Sequence, residues 1–122
     1  MHICFLLDTK IPSTISSGIL IQHLSNYMQR KGHEITIFFP DPNIKSIYKV
    51  ERKDNCTLVG LWSLNNKTKQ LHKRLISELL LSFFLILAFK TSDYKTAKID
   101  GLICYSPSIF LRGFYKFLKK RY

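Results

Sequence analysis

Cysteine is rare in this chain: Cys4, Cys56 and Cys104 are odd in number, far apart and without a C-x-x-C pair. That spacing argues against a disulfide frame and a structural zinc site, and leaves reduced thiols as the expectation. Glycine is scarce too, with five in 122 residues. The segment after the first apolar run holds only Gly18 where a dinucleotide fingerprint needs G-x-G-x-x-G, and no G-K-[ST] is present to cradle a nucleotide phosphate. A long apolar stretch is missing as well. The longest, Leu79 to Phe89 broken only by Ser82, would reach roughly 16 Å as a helix against the roughly 30 Å of a bilayer core. The start, Met1-His2-Ile3-Cys4-Phe5-Leu6-Leu7-Asp8, has neither a basic leader nor a small-residue cleavage site, so the expected compartment is the cytoplasm.

Acidic residues are the other shortage. Eight Asp and Glu face 19 Lys and Arg, a formal net charge of +11. The imbalance is uneven, with +2 on residues 1–61 and +9 on residues 62–122. A field of this sign suits nucleic acid or an anionic membrane leaflet, and the second half is the part that would meet it.

What is present suffices for a core. With 46% hydrophobic residues the chain is not generally disordered, and its length bounds it to one domain. His2 to Leu7 is a nearly continuous apolar run, as in a strand of a parallel sheet covered on both faces. After the loop 8–17, Leu20, Leu24, Tyr27 and Met28 recur at helical spacing and predict an amphipathic helix starting near Gly18. Ser16 or Ser17 can supply its N-cap, Arg30 and Lys31 complement the negative end of its dipole, and Gly32 suits the left-handed C′ position. Ile35-Thr36-Ile37-Phe38-Phe39 follows directly, giving a βαβ unit whose two strands are parallel neighbours.

Residues 41–56 read as polar and irregular. Thr57 to Trp62 predicts a third strand, Leu75 to Phe89 one long helix, and Gly101 to Cys104 a fourth strand that turns at Ser106-Pro107. Pro107 suits the first turn of a last helix, in which Phe110, Leu111, Phe114, Phe117 and Leu118 share a face opposite Arg112, Lys116, Lys119 and Lys120. The expected fold class is α/β, a Rossmann-like parallel sheet with helices on both faces.

Catalytic signatures are few. A phosphorelay receiver needs an acidic cluster after its first strand and a Lys ending a later one, whereas Asp8 stands alone and Ser106 takes the place of the Lys. His33-Glu34 lacks a second His at metalloprotease spacing, and no G-x-S-x-G elbow frames Ser13, Thr14, Ser16 or Ser17. His23 and His72 are expected on helix surfaces. No metal and no cofactor is expected.

The run Arg30-Lys31-Gly32-His33-Glu34-Ile35-Thr36-Ile37, following an N-terminal strand and an amphipathic helix, resembles the start of the family-4 glycosyltransferases, retaining enzymes of the GT-B type. Asp41-Pro42-Asn43 and the stretch from Asp100 to Ser108 resemble the subgroup that builds bacterial surface polysaccharides such as O-antigen, lipopolysaccharide and capsule. The resemblance spans nearly the whole chain. It implies that residues 1–122 form a single, incomplete acceptor-side domain, the partial N-terminal half of a GT-B fold. The C-terminal donor domain, with its basic residue on the pyrophosphate and its paired glutamates, would be absent, so stand-alone transfer is not expected and catalytic residues stay unassigned.

The implied partners are a lipid-linked glycan acceptor, a nucleotide-sugar donor bound only with the missing domain or a companion chain, and the anionic inner face of the plasma membrane as a peripheral site. Nucleic acid is not expected. The substrate-binding residues implied at matching positions are Ser17, Gly18, Tyr105 and Ser106. Gly18 opens a helix whose N–H groups point into the crevice at the carboxyl ends of the strands, and glycine allows the closest backbone approach there. Ser17 stands where the family often has the first of two glycines, which argues against a tight donor-phosphate contact. Tyr105 and Ser106 end the fourth strand at the same edge.

Two other functions fit the composition. One is a nucleic-acid-binding module, although no helix-turn-helix, RNP-type strand or zinc spacing occurs. The other is a membrane-surface protein without catalysis. Leu79 to Phe89 is expected to pack in the core, while for the last helix both core and membrane interface stay open. Four strands that end at an unpaired edge predict poor solubility for the chain by itself.

Overall fold

The computed structural model describes residues 1–7, 16–63, 70–91, 98–105 and 111–121, with the side chains of Ser17, Arg74, Ser77 and Glu78 left aside. The loop 8–15, the basic stretch 64–69, and Ser106, Pro107 and Phe110 lie outside these residues. The elements run β1 (His2–Leu7), α1 (Ser16–Arg30), β2 (Glu34–Pro40), β3 (Tyr48–Lys53), β4 (Cys56–Leu61), α2 (Leu71–Leu79), α3 (Leu81–Thr91), β5 (Gly101–Tyr105) and α4 (Arg112–Arg121). Among the described residues the protein is an α/β structure with one five-stranded sheet in the order β3-β4-β2-β1-β5.

The apolar runs read from sequence become the centre of that sheet. β1 is buried along its whole length and β2 along all but its first residue, because each has a neighbour on both sides and helices on both faces. Alternate side chains go to opposite faces. Ile3, Phe5, Leu7, Ile35, Ile37 and Phe39 form one core with Ile21 of α1. Cys4, Leu6 and Phe38 join Val59 and Leu61 of β4 in a second core beneath α3 and α4. The turn from α1 into β2 is a Schellman cap: Gly32 takes φ +85°, its N–H donates to the Gln29 carbonyl at 2.9 Å, and the His33 N–H donates to that of Met28 at 3.2 Å.

Four expectations need correction. Residues 41–56 are not irregular throughout, since Tyr48–Lys53 is a strand paired antiparallel with β4, from Tyr48↔Leu61 to Lys53↔Cys56. A two-residue loop, Asp54-Asn55, joins them, and Asp54 takes φ +54°, which Asp tolerates better than most residues. The sheet is therefore mixed, with parallel pairs everywhere except at this edge. The single helix expected from Leu75 starts instead at Leu71 and is interrupted at Leu80. Helical hydrogen bonds still cross the break, from the Leu80 N–H to the Ile76 carbonyl and from the Phe84 N–H to the Leu80 carbonyl, both 3.0 Å.

The face of α1 also differs from its predicted one. Gly18, Ile21 and Ser25 are buried against the sheet with Leu24 and Met28 half-buried, whereas Leu20 and Tyr27 are 53% and 59% exposed. The buried line therefore runs through Gly18, Ile21 and Ser25 rather than through the largest side chains. Finally, α1 begins at Ser16, which puts Gly18 inside its first turn rather than at its opening.

On the other face the last helix resolves to core. Leu111, Phe114 and Leu118 are buried, and Arg112, Lys116, Lys119 and Lys120 are exposed. Phe38 meets Phe89 and Phe114 edge-on at 5.6 and 6.0 Å, a favoured aromatic geometry. Helices α3 and α4 come close where Gly113 faces Ser82; a Cβ on Gly113 would sit 3.0 Å from the Ser82 Cβ. The run from Leu79 to Phe89 divides as only a helix can divide it, with Leu81, Leu85, Ala88 and Phe89 inward and Leu79, Leu80, Phe83 and Leu87 exposed. No helix of the described residues is long and apolar enough to cross a membrane.

Candidate substrate crevice at the carboxyl edge of the sheet

From β1 the chain moves through β2 to β4 on one side, then returns through α2 and α3 to place β5 on the other side of β1. The direction of strand addition therefore reverses between β1 and β5. In open α/β sheets such a reversal leaves a crevice at the carboxyl ends of the two strands, because the connections that follow them go to opposite faces. Here those ends are Leu7 and Tyr105, which are register partners.

Two of the four residues expected in the site can be placed. Gly18 is buried in the first turn of α1, whose leading N–H groups have no partner inside the helix and carry the positive end of its dipole. Tyr105 is half-buried and packs on the core that also holds Ile21, one turn beyond Gly18. The fold thus brings the start of α1 and Tyr105 to one end and one face of the sheet. Ser17 lies in the same first turn, with its side chain outside the description, and Ser106 lies outside the described residues.

From sequence, Asp41 figures only within the Asp41-Pro42-Asn43 run and is given no role; it follows β2 at the same edge. Its carboxylate is buried and accepts the Asn43 N–H at 3.1 Å, while its own N–H donates to the Leu61 carbonyl at 2.9 Å. A carboxylate between two prolines at a strand end was the available signal. These bonds give Asp41 the role of turning the chain out of β2, and they hold its charge at the crevice edge.

No family model and no curated protein matches the chain. The chemistry of the crevice is therefore read from its residues. It offers N–H donors of a helix start, a phenol and one engaged carboxylate, a set suited to holding phosphate or hydroxyl groups. Among the described residues no group of three His, Cys, Asp or Glu side chains could hold a metal ion.

The opposite, amino-terminal edge carries a different structure. His2 is buried, with Nε2 2.8 Å from Thr36 Oγ1 and Nδ1 3.2 Å from the Lys98 carbonyl. That carbonyl can only accept, so Nδ1 carries the ring proton and Nε2 accepts from the Thr36 hydroxyl. The His2 N–H donates to Asp100 Oδ2 at 2.8 Å, and the Asp100 N–H donates back to the His2 carbonyl at 2.9 Å. The backbone bond from His2, aided by the nearby N-terminus and Lys98, lowers the Asp100 pKa below its ordinary value. A groove of about 220 Å³ lined by Ile99, Asp100, Gly101, Leu102, Leu118 and Lys119 lies at this end, away from the strand ends where a substrate of such a sheet sits. His23 and His72 are exposed on α1 and α2, as expected.

Proposed function

We propose that the chain is the acceptor-side domain of a glycosyltransferase that moves a sugar from a nucleotide-sugar to a lipid-linked glycan in bacterial surface polysaccharide synthesis. The observation that carries this reading is the reversal of strand order between β1 and β5, with the first turn of α1 and Tyr105 at its carboxyl end. Those are the positions that the resemblance to family-4 glycosyltransferases assigns to substrate. The Arg30-to-Ile37 run supports it too, since it coincides with the helix exit at Gly32 and the start of β2. In this reading the sheet with helices on both faces is the Rossmann-like N-terminal half of a GT-B fold.

The first turn of α1 orients an anionic or hydroxyl group of the substrate through its N–H donors, and Tyr105 flanks it. The nucleotide-sugar is bound by a donor half outside these residues, so the domain is inactive by itself and works at the cytoplasmic face of the plasma membrane. The test is to translate the DNA adjoining this reading frame in all frames and combine the encoded donor half with this chain, nucleotide-sugars and a polyprenyl-linked glycan. Transfer is expected only when a donor half is present with residues 1–122, and Tyr105→Ala is expected to reduce it by about tenfold, the loss of one good transition-state or binding contact. Absence of any donor half, or transfer indifferent to Tyr105, would remove the reading.

A further inference from the structure

The face formed by α2, α3 and α4 carries an exposed apolar row that nothing among the described residues covers. Leu71, Leu75, Leu79, Phe83 and Leu87 follow one another at every fourth residue through two consecutive helices, and all are exposed, Leu71 to 81% and both Leu79 and Phe83 to 60%. Ile76 and Leu80 widen the row. α3 spends its opposite side on the core through Leu81, Leu85, Ala88 and Phe89, so the exposed residues are a second apolar face and not a slipped first one. In α2 every described side chain is exposed, His72 and Lys73 included.

Charge decides what fits the row. Helix α4 packs beside α3 on the same side of the sheet and turns Arg112, Lys116, Lys119, Lys120 and Arg121 outward. Lys73 and Lys90 are exposed beside them, and Glu78 is the one acidic residue in the sequence of the three helices. A second copy meeting this face would set like charges opposite one another. A protein hot spot is a compact patch rich in Trp, Tyr and Arg, whereas this is an extended line of leucines and one phenylalanine bordered by cations. Leucine and phenylalanine on one side of a helix with lysine and arginine around them are what an interfacial helix uses at a negatively charged bilayer, where burial and charge attraction add.

We infer that α2 and α3 form a peripheral anionic-lipid-binding ridge, with Leu75, Leu79 and Phe83 entering the acyl boundary and the α4 cations contacting headgroup phosphates. The inference does not depend on sugar transfer and holds equally for a protein without catalysis.

The test uses the whole chain and vesicles of phosphatidylcholine with or without phosphatidylglycerol, in the absence of any nucleotide-sugar. Sedimentation with the phosphatidylglycerol vesicles alone is expected, weakening as salt rises. The triple variant Leu75→Gln, Leu79→Gln, Phe83→Gln, all at exposed positions, is expected to keep the parent circular dichroism and lose about tenfold or more in partitioning, since burying three such side chains is worth more than a factor of ten. Lys116→Gln, Lys119→Gln, Lys120→Gln is expected to flatten the salt dependence. The inference is overturned if the folded parent ignores phosphatidylglycerol vesicles or if the apolar triple variant binds as well as the parent. It is equally overturned if the parent is a dimer in solution that the same variant dissociates. Failure here leaves the transfer reading intact, and failure of transfer leaves this one intact.

Discussion

At the scale of single residues, the three thiols are separated by burial rather than by sequence context. Cys4 is fully buried and its pKa is driven far above that of a free thiol by desolvation; Cys56 is half-buried and shifted the same way, and Cys104 is exposed on β5. Since the thiolate is the reactive species, alkylation of the native protein is expected at Cys104 first, at Cys56 more slowly, and at Cys4 only after unfolding. Mass spectrometry of protein treated with iodoacetamide reads that order, and equal rates at Cys4 and Cys104 would contradict it. Asp100 gives a pH dependence. Its folded pKa is depressed by the His2 amide, so its contribution to stability is present above the ordinary carboxylate value near about 4 and is lost as pH falls through the lower folded value. The gap in thermal midpoint between the parent and Asp100→Asn is therefore expected to be widest near neutrality and to close on acidification below about 4.

Elements show where sequence patterns succeed and fail. β1 and β2 were legible because strands buried on both faces must be apolar at nearly every position. β3 was not, because it is an edge strand with one helix-facing side. Only Tyr48 and Val50 pack on the core, and Lys49, Glu51, Arg52 and Lys53 are exposed. The face of α1 misled because Gly18 and Ser25 contribute no apolar signal although both are buried. Of the residues expected in the crevice, Gly18 and Tyr105 belong to regular elements and can be placed, whereas Ser106 lies outside the described residues.

Small residues govern α3 and α4 as well. Gly113→Leu would push α4 off Ser82 and away from Phe89, and an over-packed helix contact of this kind costs about 1–3 kcal/mol. Urea unfolding is expected to show that loss, and adding Ser82→Gly to recover part of it; no recovery would mean that the two helices do not meet there.

For the whole molecule, the two edges of the sheet formed by the described residues differ. β3 lines one edge with charged residues, a common device against edge-to-edge pairing, whereas β5, the other edge among the described residues, has Ile103 and Cys104 exposed. Aggregation of the isolated chain through β5 is expected, and Ile103→Lys is expected to raise the soluble fraction with little change in thermal midpoint. Unchanged aggregation in that variant would move the blame to the apolar row on α2 and α3. The position of β1 has a further consequence. It precedes the other described strands in the sequence, yet it lies between β2 and β5, with His2 tied to Asp100 98 residues later in the chain. At translation rates of about 5–20 residues per second, the stretch between them takes roughly 5–20 s to synthesise. Throughout that interval the β5 side of β1 has no strand to pair with, and a segment that ends buried along its whole length keeps an open edge until the fifth strand emerges.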